Sequence, residues 1–156
     1  MQCAVNNEMI TDQSNICGFT SKLKNGSLGL FPTDTLPALC AYPIHSKKIW
    51  DIKKRPLNKP LILMGGCVED LFELVKPNAI QDGLKMANIY WPGALTIILP
   101  TIGNLSENLN NNSNSLGFRV PNLRIARELL KETGPLATTS ANISGKSPVK
   151  DELEAS

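Results

Sequence analysis

The stretch Pro135-Leu-Ala-Thr-Thr-Ser-Ala-Asn-Ile-Ser-Gly145 changes from a short apolar segment into a dense cluster of hydroxyl, amide and glycine groups. Its first part predicts a short strand, Leu136 to Thr138, that ends in a polar loop. The side chains of this loop can donate hydrogen bonds to an anion, and Gly145 allows backbone N–H groups to approach it closely. The same composition is typical of ordinary turns and caps, so this segment alone leaves both interpretations open.

The rest of the chain alternates between the periodicities of strands and helices. We predict further strands at residues 27–31, 39–42, 61–64, 94–99 and 116–120. We predict helices at residues 12–24, 68–75, 79–90 and 122–132, and another from Ser46 to about Lys54. This alternation predicts one α/β domain with a twisted open sheet, mostly mixed or antiparallel, that is flanked by helices. The 156 residues, of which 42% are hydrophobic, suffice for the core of one such domain.

Helix ends and helix faces follow from the same pattern. Ser46 and Asn122 are the predicted N-caps, and Gly26 and Gly134 are predicted to close helices. The residues predicted to face the core from the second and fourth helices are Ile49, Trp50, Ile52, Leu84, Ala87, Ile89 and Tyr90.

The segment 102–115 interrupts this pattern because it is rich in Asn and Ser and poor in apolar residues. We predict a flexible surface loop here, and not a linker between domains. A lid over a site and a tolerated insertion fit the segment equally well.

A second polar segment follows an apolar strand in Phe31-Pro-Thr-Asp-Thr35. Pro32 cannot donate a hydrogen bond to a strand ladder, so the strand should stop there. Thr33, Asp34 and Thr35 are then presented from the end of the strand.

Four cations lie within the seven residues Lys53-Lys-Arg-Pro-Leu-Asn-Lys59. Pro56 should end the preceding helix near Lys54 or Arg55, which leaves the cations around a helix end and in the following loop. A solvated basic helix end that complements the helix dipole explains this run. A binding site for phosphate groups explains it as well.

Arg119 interrupts the otherwise apolar strand Leu116-Gly-Phe-Arg-Val-Pro121. An arginine in this position is either an ordinary ion-pair partner or a fork that holds a carboxylate or phosphate.

Composition and charge exclude several classes of protein. A net charge of +2 is too small to imply nucleic-acid binding by itself, so any basic surface must be local. The four cysteines are widely spaced and His45 is the single histidine, so we expect reduced thiols, no dedicated metal site and no serine-hydrolase triad. The sequence contains no apolar run that approaches a membrane span and no signal pattern at its amino terminus, so we expect a cytoplasmic protein.

Five segments in one order resemble a known family. They are Pro32-Thr-Asp-Thr35, the Lys53/Arg55-Pro56 run with Lys59-Pro-Leu61, Trp91-Pro-Gly-Ala-Leu-Thr96, Arg119-Val-Pro121 and Thr139-Ser-Ala-Asn-Ile-Ser-Gly145. Together they resemble the YrdC/TsaC family of threonylcarbamoyl-AMP synthases over roughly residues 10 to 150. The resemblance implies the YrdC fold for the single domain 1–156. Because family domains continue past this polar loop, we also expect carboxyl-terminal elements of the family to be missing from this chain.

The resemblance implies a reaction and a role for each polar segment. L-Threonine, bicarbonate and ATP, accompanied by Mg²⁺, would yield threonylcarbamoyl-adenylate and pyrophosphate for the N6-threonylcarbamoyladenosine modification of tRNA. The partners would be tRNA and the transferase that uses the product, without a membrane. The implied residues are Lys53 and Arg55 for catalysis; Arg55, Lys59, Ser115 and Ser140 for ATP; Thr35, Arg119 and Thr138 for threonine; and Thr33, Asn142 and Ser144 for the rest of the pocket.

Two other classes of function remain open from the sequence. One is an inactive or RNA-binding module with the same basic surface. The other is a related carbamoyl-transfer domain, against which the absence of zinc-finger and acylphosphatase-like segments counts.

Overall fold

The computed structural model describes residues 15–110 and 113–142 of the chain. Within these residues, six strands form one mixed sheet and helices lie on both of its faces. The strands are β1 (Gly29–Phe31), β2 (Ala38–Ala41), β3 (Ile62–Met64), β4 (Ile97–Pro100), β5 (Ser115–Arg119) and β6 (Leu136–Ser140). The helices are α1 (Ile16–Lys24), α2 (Lys47–Lys53), α3 (Val68–Phe72), α4 (Pro77–Tyr90), α5 (Leu105–Leu109) and α6 (Arg124–Thr133), with a 3₁₀ turn at Pro43–His45 before α2.

The predicted fold class is confirmed, and the strand order shows how the sheet is joined. The order is β1-β2-β6-β3-β5-β4, in which β3 and β5 run parallel and the other neighbouring pairs run antiparallel. The late strand β6 therefore lies between β2 and β3. It is also longer than predicted, because it continues past Thr138 to Ser140.

Two hydrophobic layers hold the helices against the sheet. On one face, α1 and α6 contribute Phe19, Leu23, Leu129 and Leu130 to a buried cluster that includes Met64 of β3. On the other face, side chains from α2, α3, α4 and α5 pack on the alternate strand residues, among them Leu61, Leu63, Leu116 and Phe118. Because successive strand side chains point to opposite faces, each residue of a strand is assigned to one layer by its neighbours.

One of the two predicted N-caps is confirmed in position, and neither caps its helix through the side chain. Ser46 is the N-cap residue of α2, as predicted, but its hydroxyl donates to the carbonyl oxygen of Asn108 at 3.5 Å and not to the helix. The N-cap residue of α6 is Leu123, one position later than predicted. The Asn122 side chain instead accepts a hydrogen bond from Arg127 Nη1 at 3.2 Å. The predicted closures at Gly26 and Gly134 are confirmed, with φ of 84° and 77°.

Three predicted core residues are wrong, because each lies beside the buried stripe of its helix. In α2 the buried positions are Ile49, Trp50 and Lys53, so Lys53 takes the place on the inner face that we expected for Ile52, which is 47% exposed. In α4 Ala87 is buried as predicted, whereas the last two residues, Ile89 and Tyr90, are exposed.

The segment 102–115 contains a short helix, α5, in a region that we predicted to be loop. Leu109 of this helix is fully buried, and its carbonyl oxygen accepts a hydrogen bond from the backbone N–H of Leu61 at 2.8 Å. The amino-terminal half of the segment is therefore packed on the core. Its flexibility and its use as a lid stay predictions.

The described helices are all too short or too polar to cross a membrane. Cys17, Cys40 and Cys67 form no disulfide within the described residues, and the reduced state of the thiols stays a prediction. The first cysteine, Cys3, lies outside the described residues.

Candidate functional site

Arg119 is the centre of a polar network at the end of β5. Its side chain is 8% exposed, and each of its three nitrogen atoms donates a hydrogen bond. Nε donates to the carbonyl oxygen of Gly93 at 2.9 Å, Nη1 to the hydroxyl of Thr35 at 2.9 Å, and Nη2 to the Asp34 carboxylate at 2.8 Å. The structure therefore brings together Thr35 and Arg119, two of the three residues predicted to bind threonine. One N–H on each terminal nitrogen remains without a partner among the described residues.

The loop after β1 is ordered by its own hydroxyl groups. Thr33 Oγ1 donates to the carbonyl oxygen of Leu36 at 2.8 Å and accepts from the backbone N–H of Thr35 at 3.1 Å. The two threonine hydroxyls lie 3.1 Å apart. This local turn chemistry holds Thr35 toward Arg119.

Asp34 is the residue of this site to which the sequence analysis gave no role. Its Oδ1 accepts from Arg119 and also from the backbone N–H of Asn122 at 2.9 Å. Asp34 therefore ties the loop after β1 to the turn that leads into α6. Its position between Thr33 and Thr35 at a strand end indicated that it could belong to a site. Its partners could not be predicted, because they are distant in sequence.

Lys53 lies against the sheet and not in solvent. It is 6% exposed, and its Nζ donates to the carbonyl oxygen of Ser140 and, at 3.4 Å, to the hydroxyl of Thr139. Burial, together with the nearby charges of Arg55 and Lys59, lowers the pKa of Lys53 from 10.5 to about 8. This cation therefore holds the end of β6 from the end of α2.

Arg55 and Lys59 shape the loop that follows α2. Lys54 ends the helix with a left-handed φ of 46°, which turns the chain toward this loop. Arg55 Nε donates to the carbonyl oxygen of Lys59 at 3.2 Å, and Nη2 donates to that of Pro60 at 2.8 Å. The Lys59 side chain is exposed and makes no hydrogen bond within the described part of the chain. Three N–H groups of Arg55 and the ammonium group of Lys59 thus remain for a ligand.

The polar residues of β6 differ in their accessibility. Thr138 is fully buried, and its hydroxyl lies 3.4 Å from the carbonyl oxygen of Ile62. Ser140 is half-buried, and its hydroxyl donates a hydrogen bond to Oδ1 of Asn142. Ser140 and Asn142 thus present polar groups at the strand end, whereas Thr138 lies within the sheet. Ser144, the remaining predicted pocket residue, lies outside the described residues.

The strand register places most of these residues on one face of the sheet. Thr138, Ile62 and Gly117 are directly paired neighbours across β6, β3 and β5. Ser115 and Arg119 share the face of Gly117, two residues away in each direction. By the same alternation, Ser140 shares the face of Thr138.

The site has two ends. Ser140 lies at the carboxyl end of β6 and Ser115 at the amino end of β5, which meet at one edge of the sheet because the two strands run in opposite directions. They lie two strand spacings apart, about 10 Å. Lys53 and the loop carrying Arg55 and Lys59 lie at this edge. Arg119 starts from the other end of β5, four residues or about 13 Å from Ser115.

Gly117 lies on this face between the two ends, where the side chains of Ile62 and Thr96 flank it. It is half-buried, and its neighbour Ile98 on β4 is 73% exposed. A Cβ atom at Gly117 would lie 2.9 Å from the Cγ2 atoms of both Ile62 and Thr96. A glycine inside a strand is typical of a place where a ligand approaches the sheet closely.

The fold and the site define an α/β protein with a buried arginine network at one end of β5 and a cluster of cations at the opposite end. Residues 21–156 match the model of the Sua5/YciO/YrdC family, which is described as "Telomere recombination". The chain belongs to this family.

Two curated relatives carry the same enzyme name. The threonylcarbamoyl-AMP synthase of Bacillus subtilis is 34% identical over 154 residues, which make up 95% of this chain and 44% of that protein. The threonylcarbamoyl-AMP synthase of Pseudoalteromonas translucida is 32% identical over 152 residues, 94% of this chain and 81% of that protein. The chain thus spans less than half of the first relative and most of the second.

A solved structure with the same fold is that of Pyrococcus abyssi Sua5 complexed with L-threonine. It superposes with a TM-score of 0.81 at 30% sequence identity, and the match covers 91% of this chain and 43% of that one.

Proposed function

We propose that this protein is a threonylcarbamoyl-AMP synthase that forms L-threonylcarbamoyladenylate and pyrophosphate from L-threonine, bicarbonate and ATP. The observation that carries the proposal is the pairing of Arg119 with Thr35 at one end of β5, together with the position of Lys53 and the loop carrying Arg55 and Lys59 at the opposite end, against the carbonyl oxygens of Ser140 and Pro60. The names of the relatives and the threonine complex of the Pyrococcus abyssi protein support it.

The amino acid binds at the Arg119 end. The two free N–H groups on the terminal nitrogens of Arg119 donate to the two oxygens of the threonine carboxylate as a fork. The hydroxyl of Thr35, held 2.9 Å from Nη1, lies beside this position. Thr33 orients Thr35, and Thr138 lies beneath the pocket in the sheet.

ATP binds at the cationic edge. Arg55 and Lys59 direct their free N–H groups to the phosphates, and Ser115 and Ser140 contact the nucleotide from the sheet edge. Mg²⁺ would accompany ATP and would neutralise negative charge on its phosphates beside Arg55 and Lys59. Lys53 adds positive charge and holds the Ser140 carbonyl, which fixes the strand end that faces the nucleotide.

The chemistry needs no cysteine or histidine nucleophile. Bicarbonate takes up a proton and loses water to give carbon dioxide, and the α-ammonium group of bound threonine loses a proton to solvent. The neutral amine then attacks the carbon dioxide, so that a C–N bond forms, one C=O π bond breaks and the nitrogen releases a second proton to solvent, which leaves a carbamate anion. A carbamate oxygen then attacks the α-phosphorus of ATP, and the bond to the β-phosphate oxygen breaks to release pyrophosphate. The protein contributes positioning and stabilisation of charge on the phosphates.

The product is an activated threonylcarbamoyl group. The proposed role is its delivery, in the cytoplasm, to the enzyme that modifies adenosine 37 of tRNA.

Pyrophosphate release tests the proposal. Release from MgATP should require both L-threonine and bicarbonate, each added and withheld in turn. The Arg55→Ala variant should turn over about 30- to 1,000-fold more slowly, because loss of one preorganised donor removes roughly 2–4 kcal/mol of transition-state stabilisation. Arg124→Ala is the matched control, since Arg124 is exposed and pairs with Glu128 on α6.

Release without threonine, or near-normal turnover of Arg55→Ala, contradicts the proposal. Strong, salt-dependent RNA binding by a protein that releases no pyrophosphate would instead support the RNA-binding module.

A further inference from the structure

Asp34 places an acceptor beside the Arg119 fork. Its Oδ1 is occupied by Arg119 Nη2 and by the backbone N–H of Asn122, at 2.8 and 2.9 Å. Its Oδ2 accepts no hydrogen bond from the described residues. The Asp34 side chain is 18% exposed and that of Arg119 is 8% exposed, so the ion pair is largely shielded while part of the carboxylate stays accessible.

The free N–H groups of Arg119 and the Oδ2 atom of Asp34 favour ligand groups of opposite charge. Arg119 offers one N–H on each terminal nitrogen to an anion, and Oδ2 of Asp34 offers an acceptor to a cation. A carboxylate that binds Arg119 alone meets the negative charge of Asp34, and an amine that binds Asp34 alone meets the positive charge of Arg119. A ligand with both charges avoids both repulsions.

An α-amino acid has this arrangement because its carboxylate and ammonium groups are bonded to the same carbon atom. We propose that Asp34 is a specificity-determining residue that receives the α-ammonium group of the substrate, so that the site accepts zwitterions and rejects simple carboxylates. The inference rests on the proposed function, in which Arg119 holds the carboxylate.

The Asp34→Asn variant removes the negative charge of residue 34 while it retains the contacts that position Arg119. The asparagine carbonyl oxygen can still accept from Arg119 and Asn122, while the NH₂ group replaces the oxygen that would face the ammonium group. Asp34→Ala removes both functions. Asp82→Asn is the matched control, because it removes the same charge from an exposed carboxylate on α4 that pairs with Lys85.

Calorimetric titration without ATP measures the dissociation constants of two ligands. One is L-threonine, and the other is (R)-3-hydroxybutyrate, which is L-threonine without its amino group. The wild type and the Asp82→Asn variant should both bind L-threonine more tightly than (R)-3-hydroxybutyrate. In Asp34→Asn the ratio of the two constants should fall by about 10- to 100-fold, the range expected for one charge-assisted hydrogen bond. L-Threonine binding weakens, and 3-hydroxybutyrate binding strengthens because Arg119 loses its negative neighbour.

Each outcome decides the inference. An unchanged ratio in both Asp34 variants overturns it, as does an equal loss of both ligands in Asp34→Asn, since Asp34 would then only position Arg119. If the wild type releases pyrophosphate with threonine while the ratio of the two dissociation constants is unchanged in the Asp34 variants, the proposed function is supported and the inference about Asp34 is overturned. If the wild type does not bind L-threonine, the proposed function fails and the inference fails with it.

Discussion

Lys53 combines a buried position with a positive charge, and its effect on stability and its effect on ligands depend on pH in opposite ways. Because the pKa of Lys53 is lowered to about 8, the unfolded chain holds more protons than the folded chain between that pH and the ordinary value of 10.5. The contribution of this residue to the free energy of unfolding therefore rises with pH across that window. The attraction of Lys53 for an anion is lost as pH rises through 8.

ATP affinity should consequently fall between pH 7 and pH 9 in the wild type. A unit charge about 10 Å from a phosphate contributes roughly 1.7 kcal/mol at an effective dielectric constant of about 20, so the expected change is on the order of tenfold. The fall should be absent from Lys53→Met and present in Lys54→Met, which removes an exposed charge next to it. Nucleotide titrations at the two pH values measure it, and an equal fall in Lys53→Met contradicts it.

At the scale of single residues, the sequence predicted the functional groups better than their partners. Thr35 and Arg119 were both predicted as ligands, and the structure places them 2.9 Å apart. Asp34 was overlooked because its partners lie 85 and 88 residues away in the chain. Lys53 was predicted among exposed cations, since nothing local shows that α2 turns this position toward β6.

The strands and most helices could be predicted from hydrophobic periodicity, but the residues at which they end could not. Hydrophobic spacing was sufficient to place all six described strands. It did not show that β6 continues through Thr139 and Ser140, because polar side chains at a strand end resemble a turn. The short helix α5 escaped prediction for a similar reason, since buried Leu109 and its contact with Leu61 are tertiary features.

Gly117 lies on β5 between Ser115 and Arg119, so a larger side chain at this position should affect ligand binding. Gly117→Val should weaken the binding of L-threonine or ATP at least tenfold, because the new side chain would stand on the face between Ser115 and Arg119. The free energy of unfolding should fall as well, by about 1–3 kcal/mol or more, because the new Cβ atom would lie 2.9 Å from the Cγ2 atoms of Ile62 and Thr96, whose β-branched side chains cannot rotate away freely.

Titration calorimetry and thermal unfolding measure the two effects of Gly117→Val. Gly18→Ala in α1 is the control, because a Cβ atom there meets nothing within 4 Å. Unchanged affinity for both substrates would mean that no ligand lies over Gly117.

At the scale of the whole molecule, stability depends on the two hydrophobic layers. Leu63 is fully buried at the centre of the layer formed with α2, α3, α4 and α5. Leu63→Ala should lower the free energy of unfolding by about 2–5 kcal/mol, as expected for a large-to-small change in a core. Ile89→Ala should change it by less than about 0.5 kcal/mol, since Ile89 is 69% exposed.

Urea denaturation of the two variants measures this difference. Similar midpoints for both would contradict the assignment of Leu63 to the core.

The place of β6 between β2 and β3 has a consequence for synthesis of the protein on the ribosome. Residues 29–41 and 62–119 emerge first and form two separate pieces of sheet, each with an unpaired apolar strand edge. The pieces cannot join until residues 136–140 have emerged, which makes the long-range contacts of the fold late and slow to form. Between the emergence of residue 119 and that of residue 140, the nascent chain therefore exposes two edges that favour pairing with other chains, and a chaperone that covers them would be of most use during that interval.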